Sequence, residues 1–242
     1  PLAGEPLPTA QGLRLPFGTQ VEQWEAHRDG LLEVQDCGSQ LACEAVAATA
    51  GETVIDLCAG AGGKTLALAA AMTNAGTLIA ADTDRGRLSR LTPRAARAGA
   101  LVAETVLLDP GRELAALSAW RGKADAVLVD APCSGTGTWR RNPEARWRLA
   151  PSDFERLVGT QARLLEIASE LVRPGGRLIY VVCSLLDAEG PDQAAGFLAA
   201  HPGWRAAPPT LPLGAARGTG VRLTPLHDGT DGFFIARLEK PC

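Results

Sequence analysis

Apolar runs alternate with segments of helical periodicity over most of the chain. Ser152 and Glu155 have the spacing of a capping box, which predicts a helix that starts at Ser152. Runs of consecutive apolar residues are typical of strands buried on both faces, and they predict strands over residues 53–58, 77–81, 101–108, 124–129, 177–182 and 232–238. The segments between and before them predict helices over residues 39–49, 64–72, 85–98, 113–117, 152–172 and 193–201. This alternation predicts an α/β fold with a doubly wound, mostly parallel sheet and helices on both faces.

The amino-terminal fifty residues show less of this alternation. Residues 1–19 are rich in proline and glycine, and residues 31–35 predict one short strand. The chain begins at Pro1 without a segment that resembles a secretory leader, so we expect a processed form or a fragment. We divide the chain into residues 1–50, a linker and the tail of an upstream region, and residues 51–242, one folded domain.

Composition indicates a globular protein. Hydrophobic residues make up 46% and charged residues 21% of the 242 positions, and no apolar run approaches the roughly 20 residues that span a bilayer. The net charge of −3 argues against a stand-alone nucleic-acid binder, yet residues 139–148 hold four arginines against one glutamate. Cysteines at positions 37, 43, 58, 133, 183 and 242 show no C-x-x-C spacing. We therefore expect free thiols in a reducing cytoplasm, no metal site, no membrane contact and a monomer.

Two of the cysteines directly follow predicted strands. Cys133 lies in Asp130-Ala-Pro-Cys-Ser-Gly135, and Cys183 lies between Val182 and Ser184. Residues just past the carboxyl ends of parallel strands face the ligand crevice of such a sheet. A thiol in that place can act as a nucleophile once it is deprotonated, although buried cysteines are more often structural. The two positions together favour covalent group transfer.

A glycine-rich turn, Asp56-Leu-Cys-Ala-Gly-Ala-Gly-Gly-Lys-Thr65, joins a strand to a helix and predicts a nucleotide cofactor. Cys58 stands where a Walker A loop needs glycine, which excludes that loop, and Thr65 makes a dinucleotide fingerprint a weak match. S-Adenosylmethionine is the third interpretation. Asp82, after the second strand of the domain, would bind the ribose hydroxyls, and Asp109, after the third, would bind the adenine amino group. The alternative for both aspartates is helix capping.

Several motifs together resemble one known family. Residues 130–137 read Asp-Ala-Pro-Cys-Ser-Gly-Thr-Gly and precede Arg140-Arg-Asn-Pro143, and residues 182–184 read Val-Cys-Ser where the family usually has Thr-Cys-Ser. These motifs resemble the Sun/Fmu family of RNA (cytosine-5) methyltransferases, to which the bacterial small-subunit ribosomal RNA enzyme belongs. Two departures are visible. Gly60-Ala61 replaces the Ala-Pro of the family's glycine-rich turn, and Glu189-Gly190 replaces its Glu-Asn.

The resemblance implies a seven-stranded Rossmann-like methyltransferase sheet, S-adenosylmethionine as the cofactor and RNA, ribosomal in kind, as the partner. Cys183 would be the nucleophile and Cys133 would assist product release, while Asp130 would stabilise the charge change on the cytosine ring. Residues 1–50 would include the tail of an N-terminal RNA-binding region. The cofactor contacts that it implies are Cys58, Ala59, Gly60, Ala61, Gly62, Gly63, Lys64, Asp82, Asp109 and Asp130.

Basic and aromatic residues after Cys133 are the candidate RNA contacts. Trp139 or Trp147 would stack on a base, and the alternative is a solvated loop above core tryptophans. The arginines expected to hold phosphates are Arg140, Arg141, Arg146 and Arg148. Two other functions stay open. A non-catalytic RNA-binding or ribosome-assembly factor would not need two thiols, and a DNA cytosine methyltransferase would lack the second cysteine.

Overall fold

A nine-stranded sheet forms the centre of the computed structural model, which describes residues 4–242. Residues 1–3 of the predicted amino-terminal tail lie outside the described residues. A separate hairpin pairs β1 (Glu5–Pro6) with β2 (Leu13–Arg14). The sheet strands, in chain order, are β3 (Thr53–Asp56), β4 (Thr77–Asp82), β5 (Glu104–Leu107), β6 (Ala124–Asp130), β7 (Val172–Val182), β8 (Arg205–Ala206), β9 (Ala215–Arg217), β10 (Gly220–Leu223) and β11 (Phe233–Glu239).

Five parallel strands confirm the predicted doubly wound sheet. The spatial order is β5-β4-β3-β6-β7-β11-β10-β9, and β8 also pairs with β11. Strands β5, β4, β3, β6 and β7 are parallel to their neighbours, whereas β11, β10 and β9 are antiparallel. The structure has nine strands where the resemblance implies seven. The three strands that the apolar runs do not predict, β8, β9 and β10, have two to four residues, too few for a periodic pattern in the sequence.

Helices cover both faces of the sheet, as the alternation predicts. Helices α2, α3 and α4 pack on one face, and α5, α6 and α7 pack on the other. Their bounds are α1 (Glu25–Arg28), α2 (Cys37–Val46), α3 (Gly63–Ala71), α4 (Arg85–Ala98), α5 (Glu113–Ala116), α6 (Pro151–Leu171), α7 (Pro191–Ala200) and α8 (Pro225–Asp228).

Strand β6 shows why these strands have uninterrupted apolar sequences. Val127 and Val129 point into the core beneath α6, whereas Ala126 and Leu128 point into the core beneath α2 and α3. All four are completely buried. Because both faces are covered, successive residues must all be apolar.

Three local predictions are wrong. Residues 31–35 form no strand. Helix α2 begins at Cys37 and not at residue 39, because the Asp36 side chain accepts the N–H of Gly38 at 2.8 Å and caps the helix there. Helix α6 begins at Pro151, whose ring presets a helical φ at the first helical position, so Ser152 lies inside the first turn and caps nothing.

The order of strands reverses between β3 and β6. From β3 the chain proceeds outward to β4 and β5 and then returns to β6 on the other side. The carboxyl ends of these strands therefore converge at one edge, where open α/β sheets bind ligands. That edge carries Asp56, Asp82, Asp130 and Cys183.

Residues before position 51 also contribute to the core. In α2, Leu41 and Val46 are completely buried in the same cluster as Val54 and Ile235 of the sheet. The assignment of residues 1–50 to an RNA-binding tail stays a prediction. Among residues 4–242, no helix is both long and apolar enough to cross a bilayer, and no group of three or more histidine, cysteine or acidic side chains is placed to hold a metal ion.

Candidate active site

The glycine-rich turn connects β3 to α3 and depends on two residues with positive φ. Gly60 has a φ of 55° and Gly62 has a φ of 90°, a region that side chains disfavour. A Cβ at Gly62 would also lie 2.8 Å from Leu91 of α4. Both glycines are therefore needed for the turn to adopt this shape, which exposes the first N–H groups of α3.

Asp82, at the end of β4, holds this turn. Its Oδ2 accepts the N–H of Gly60 at 2.7 Å, and its Oδ1 accepts the N–H of Asp84 at 2.7 Å. The residue that caps α4 is Asp84, whose Oδ1 accepts the N–H of Arg87. A carboxylate can accept about four hydrogen bonds, so Asp82 retains acceptor capacity for a ligand. Capping is thus excluded as the role of Asp82.

Asp109 lies two residues after β5 and is exposed. Its side chain has no hydrogen-bond partner among residues 4–242, and the N–H of Arg112 bonds to its backbone carbonyl instead. Arg112 is the N-cap of α5, so Asp109 caps no helix either. Its carboxylate is available at the same edge of the sheet as Asp82.

Two arginines of α4 contact the glycine-rich turn, and the sequence interpretation missed both. Arg94 Nη1 donates to the Ala61 carbonyl at 2.7 Å, and its Nη2 pairs with Glu33 at 2.9 Å. The Arg87 guanidinium lies against Gly60, where a Cβ would be 2.4 Å from Nη2. Ala61 stands where the family has proline, whose ring would restrict the backbone of the turn. Here the hydrogen bond from Arg94 to the Ala61 carbonyl restrains the same backbone. Helical periodicity could have shown which face these arginines share with Leu91.

Lys64 links the glycine-rich turn to the end of β6. Its Nζ lies 2.7 Å from Asp130 Oδ2 and 5.8 Å from the centre of the Phe233 ring. Burial disfavours the charge on Lys64, but the adjacent Asp130 carboxylate outweighs burial and raises the pKa of Lys64. Within residues 4–242, Asp130 Oδ1 has no hydrogen-bond partner, so one carboxylate oxygen is left for a ligand.

Asp56 is completely buried beneath this pair. Its Oδ2 accepts the Thr65 hydroxyl at 2.7 Å, and its Oδ1 has no partner among the described residues. Burial raises the pKa of Asp56 to about 7, and the nearby Asp130 carboxylate contributes in the same direction. The floor of the site therefore contains an acid that titrates near neutral pH.

The two cysteines at the strand ends face each other. The Sγ atoms of Cys133 and Cys183 lie 3.4 Å apart, and both residues are free thiols. The hydrogen bond from Cys133 lowers the pKa of Cys183 against the effect of burial, and Lys64 lowers it further. The same hydrogen bond, together with burial, holds the pKa of Cys133 well above its usual value. These opposite directions favour Cys183 over Cys133 as the thiol of the pair that loses its proton first.

Three other cysteines have the opposite character, the buried Cys37 and Cys43 and the half-buried Cys58. Burial raises the pKa of Cys37 and Cys58, and it raises the pKa of Cys43 to about 12. A low pKa combined with partial exposure distinguishes a reactive thiol from a structural one. By this criterion Cys183 is the reactive thiol among these residues.

Two glycines bring the segment after Cys133 into contact with the start of β11. Gly137 N–H donates to the Cys183 carbonyl at 3.0 Å, and Gly232 N–H donates to the Gly137 carbonyl at 2.8 Å. A Cβ at Gly137 would lie 2.0 Å from the Gly232 carbonyl oxygen. Only glycine fits this approach, which fixes both cysteine-bearing segments against the carboxyl-terminal strand.

The four candidate RNA-binding arginines divide into two pairs. Arg140 and Arg141 both form ion pairs with Asp231, which is completely buried. Arg146 and Arg148 form no ion pair with any residue from 4 to 242. The Arg146 guanidinium instead lies 4.6 Å from the ring centre of Trp147, whose surface is 78% exposed. The second pair therefore offers free charge beside an exposed aromatic ring.

The sheet and its helices have the Rossmann-like fold of methyltransferases. The family described as 16S rRNA methyltransferase RsmB/F matches residues 44–239. The chain is 39% identical over 213 residues to ribosomal RNA small subunit methyltransferase B of Thermus thermophilus. This match covers 86% of this chain and 50% of that protein. The crystal structure of PH0851 is similar with a TM-score of 0.85 and 35% identity, covering 94% of this chain and 51% of that one. The structure of NSun6 from Pyrococcus horikoshii with SFG is similar with a TM-score of 0.81 and 27% identity. The match covers 94% of this chain and 57% of that one.

The chain belongs to the RsmB/F methyltransferase family. The predicted membership of the Sun/Fmu family is confirmed, and so is S-adenosylmethionine as the cofactor of that family. The chain spans about half the length of the relatives that it matches.

Proposed function

We propose that this chain transfers a methyl group from S-adenosylmethionine to carbon 5 of a cytosine in ribosomal RNA, through a covalent bond to Cys183. The observation that carries the proposal is the Cys133–Cys183 pair, with Sγ atoms 3.4 Å apart, beside the Lys64–Asp130 ion pair. A protein that only binds RNA needs neither two facing thiols nor a lowered pKa at one of them. The membership of the RsmB/F family supports the substrate class.

Cys183 is suited to open the reaction. Its thiolate adds to carbon 6 of the cytosine, and the electron pair of the C5–C6 double bond moves to carbon 5. When bound, S-adenosylmethionine would supply an electrophilic methyl group: carbon 5 would bond to it as the sulfur–methyl bond breaks, with the electron pair left on sulfur and S-adenosylhomocysteine as the leaving group. A base then accepts the proton on carbon 5, the C5–C6 double bond re-forms, and the bond between carbon 6 and Cys183 Sγ breaks to return the thiolate.

Cys133 is suited to assist the last step. Its Sγ lies 3.4 Å from Cys183 Sγ, within hydrogen-bond distance, and its raised pKa favours the protonated form that would donate to a Cys183 thiolate. A donor at this distance stabilises the negative charge that returns to Cys183 as the product leaves. Cys133 therefore favours departure of the methylated base without forming a bond to it.

Asp130 and Lys64 would act on the other side of the ring. Oδ2 of Asp130 is occupied by Lys64, which leaves Oδ1 to accept a hydrogen bond from the cytosine. Electron density on the ring rises during thiolate addition, and the Lys64 charge stabilises the anionic groups around it. The pair thus connects the base to the turn that would hold the cofactor.

The glycine-rich turn fits S-adenosylmethionine. Asp82 has unused acceptor capacity, the Asp109 carboxylate is unpartnered among the described residues, and Gly60 leaves no side chain between the backbone and a ligand. These features suit ribose hydroxyls, an adenine amino group and a close approach of the cofactor. Residues 58–64 with Asp82, Asp109 and Asp130 would then form the cofactor contacts.

The decisive experiment is transfer of a labelled methyl group to small-subunit ribosomal RNA, followed by mapping of the modified base. Cys183→Ala is expected to abolish transfer while cofactor binding persists. Cys133→Ala is expected to accumulate a protein–RNA adduct that survives denaturant, because release is slowed. Cys43→Ala, a buried thiol outside the pair, is the matched control. Full turnover by Cys183→Ala would refute the proposal, and RNA binding without transfer by the unmodified chain would favour a non-catalytic factor.

A further inference from the structure

Glu189 is a completely buried carboxylate beneath the two cysteines. It ends the short turn Asp187–Glu189 that follows Cys183. Its Oε1 accepts the backbone N–H of Ser134 at 2.8 Å and Gln161 Nε2 at 3.1 Å. Its Oε2 accepts the hydroxyl groups of Ser134 and Ser184.

The donors to Glu189 come from both cysteine-bearing segments. Ser134 directly follows Cys133, and Ser184 directly follows Cys183. One carboxylate therefore holds the residue after each cysteine. The backbone of Glu189 is fixed as well, since the Tyr180 hydroxyl donates to its carbonyl at 2.5 Å. Glu189 thus links the two cysteine segments, beside the bond from the Gly137 N–H to the Cys183 carbonyl and the bond between the Thr136 and Ser184 hydroxyl groups.

Glu189 also makes the surroundings of the two thiols unequal. It forms no ion pair with any residue from 4 to 242, and all four of its donors are neutral groups. The hydrogen bond with Cys183 and burial are the main causes that raise the pKa of Cys133, and the Glu189 carboxylate adds a smaller contribution in the same direction. Cys183 instead faces Lys64 and Asp130, and Lys64 lowers its pKa. The buried negative charge thus disfavours a thiolate at Cys133.

We propose that Glu189 is a positioning residue, which clamps the two cysteine segments together and keeps the shared proton on Cys133 so that Cys183 is the nucleophile. This inference rests on the proposed function for the role of the thiols, but the asymmetry itself is a property of the chain. It assigns to Glu189 the placement of the two thiols at hydrogen-bond distance and an added contribution to their inequality, and to Ser134 and Ser184 the transmission of its position.

The test measures alkylation of Cys183 and Cys133 by iodoacetamide between pH 5.5 and 9.5, with each site quantified by mass spectrometry. In the unmodified chain, Cys183 is expected to react at lower pH than Cys133. In Glu189→Gln the ratio of Cys183 to Cys133 alkylation at pH 7 is expected to fall about tenfold, which corresponds to one pKa unit. Glu189→Asp retains the charge and is expected to restore most of the ratio.

Asp187→Asn is the matched control, because Asp187 lies in the same turn and pairs with Arg217 and Arg222 instead. It is expected to leave the ratio unchanged. An unchanged ratio in folded Glu189→Gln would overturn the proposal. If Glu189→Gln does not fold, Ser134→Ala and Ser184→Ala decide the question: a lowered ratio in either supports the clamp, and an unchanged ratio in both overturns it.

Methyl transfer is measured on the same samples, so the two proposals fail separately. If the unmodified chain transfers no methyl group while the alkylation ratio still shifts in Glu189→Gln, the proposed function is refuted and the role of Glu189 stays intact. Normal transfer together with an unchanged ratio in Glu189→Gln would refute only the role of Glu189.

Discussion

The glycine-rich turn and the cysteine pair lie at the same edge of the sheet but are held in different ways. The turn is positioned by charged side chains on its outside, with Asp82 on its N–H groups and Arg94 on the Ala61 carbonyl. The cysteine segments are positioned from beneath, by neutral donors that converge on the buried carboxylate of Glu189. Under the proposed function, the turn would present its backbone to the cofactor, and the cysteine segments would present side chains to the base.

This difference follows from what each region has to do. A cofactor that is bound and released repeatedly needs backbone N–H groups and carboxylates that water can also reach. A nucleophile needs a fixed distance to its partner and a proton kept in one place, and a satisfied buried network provides that rigidity. Changes in one region should therefore leave the characteristic property of the other intact, and Lys64 is the exception because it belongs to the turn while its charge lowers the pKa of Cys183.

The largest expected effect concerns Asp56, beneath the glycine-rich turn. Its folded-state pKa of about 7 lies above the ordinary value of 3.8. The native chain therefore binds more protons than the unfolded chain between these values, and the free energy of unfolding falls as the pH rises from about 4 to about 7. Asp56→Asn should remove up to about 4 kcal/mol of this dependence, measured by urea unfolding at both ends of the window. Asp109→Asn, at an exposed carboxylate, should keep the original dependence; equal curves for the unmodified chain and Asp56→Asn would contradict the prediction.

Asp82→Asn should weaken cofactor binding about 100-fold, or by about 2.7 kcal/mol, because an amide offers one acceptor where the turn and the ribose need several charge-assisted bonds. Calorimetry with S-adenosylmethionine measures this change. The alkylation ratio of the two cysteines should not move. Asp84→Asn, which alters only the cap of α4, should change the affinity by a few-fold at most. Comparable losses in both variants would mean that Asp82 acts only through the fold.

Lys64→Met, a change in the glycine-rich turn, should alter the reactivity of the cysteine pair as well. Without its charge the pKa of Cys183 rises, because Asp130 is then the nearest charged group. Alkylation of Cys183 at pH 7 should slow about tenfold, with a pH profile displaced by about one unit. Lys123→Met, at the other end of β6, is the control. A profile that stays in place would show that the hydrogen bond from Cys133 is sufficient for the low pKa.

The smallest expected effect concerns RNA binding. Replacing Arg146 and Arg148 by glutamine should lower the slope of log affinity against log salt by about 1.4, since each free arginine neutralises about one phosphate of a single strand. Replacing Arg140 and Arg141 should lower it less, because both already pair with Asp231 and Arg140 also pairs with Asp36. Fluorescence anisotropy at several salt concentrations gives both slopes. Equal slopes in the two double variants would mean that RNA displaces Asp231.

The sequence was sufficient for the sheet and for the residues at its carboxyl edge. Parallel strands buried on both faces have uninterrupted apolar runs, and their ends must converge, so Asp82, Asp130 and Cys183 could be placed together without coordinates. The short antiparallel strands at the far edge could not be predicted, because two to four residues show no period. The start of α6 was misplaced because Pro151 outcompetes the capping box.

The contacts that fix the site come from residues far apart in sequence. Glu189 binds Ser134 across 55 positions, and Asp231 binds Arg141 across 90. No local pattern marks a pair at such a separation, since the partners meet only after β6, β7 and β11 have assembled. Glu189 was visible in the sequence, because it stands where the Sun/Fmu family has a glutamate. Its contacts with Ser134 and Ser184 were not visible there.

The close approach of Gly137 to Gly232 has a practical consequence for anyone who shortens this protein. A version that stops before Asp231 would retain every side chain proposed to touch cytosine or cofactor. It would nevertheless lose β11, the strand that pairs with β7. It would also lose the backbone hydrogen bond from Gly232 to Gly137 that holds the loop after Cys133. A complete set of motifs is therefore a poor guide to where this chain can be cut.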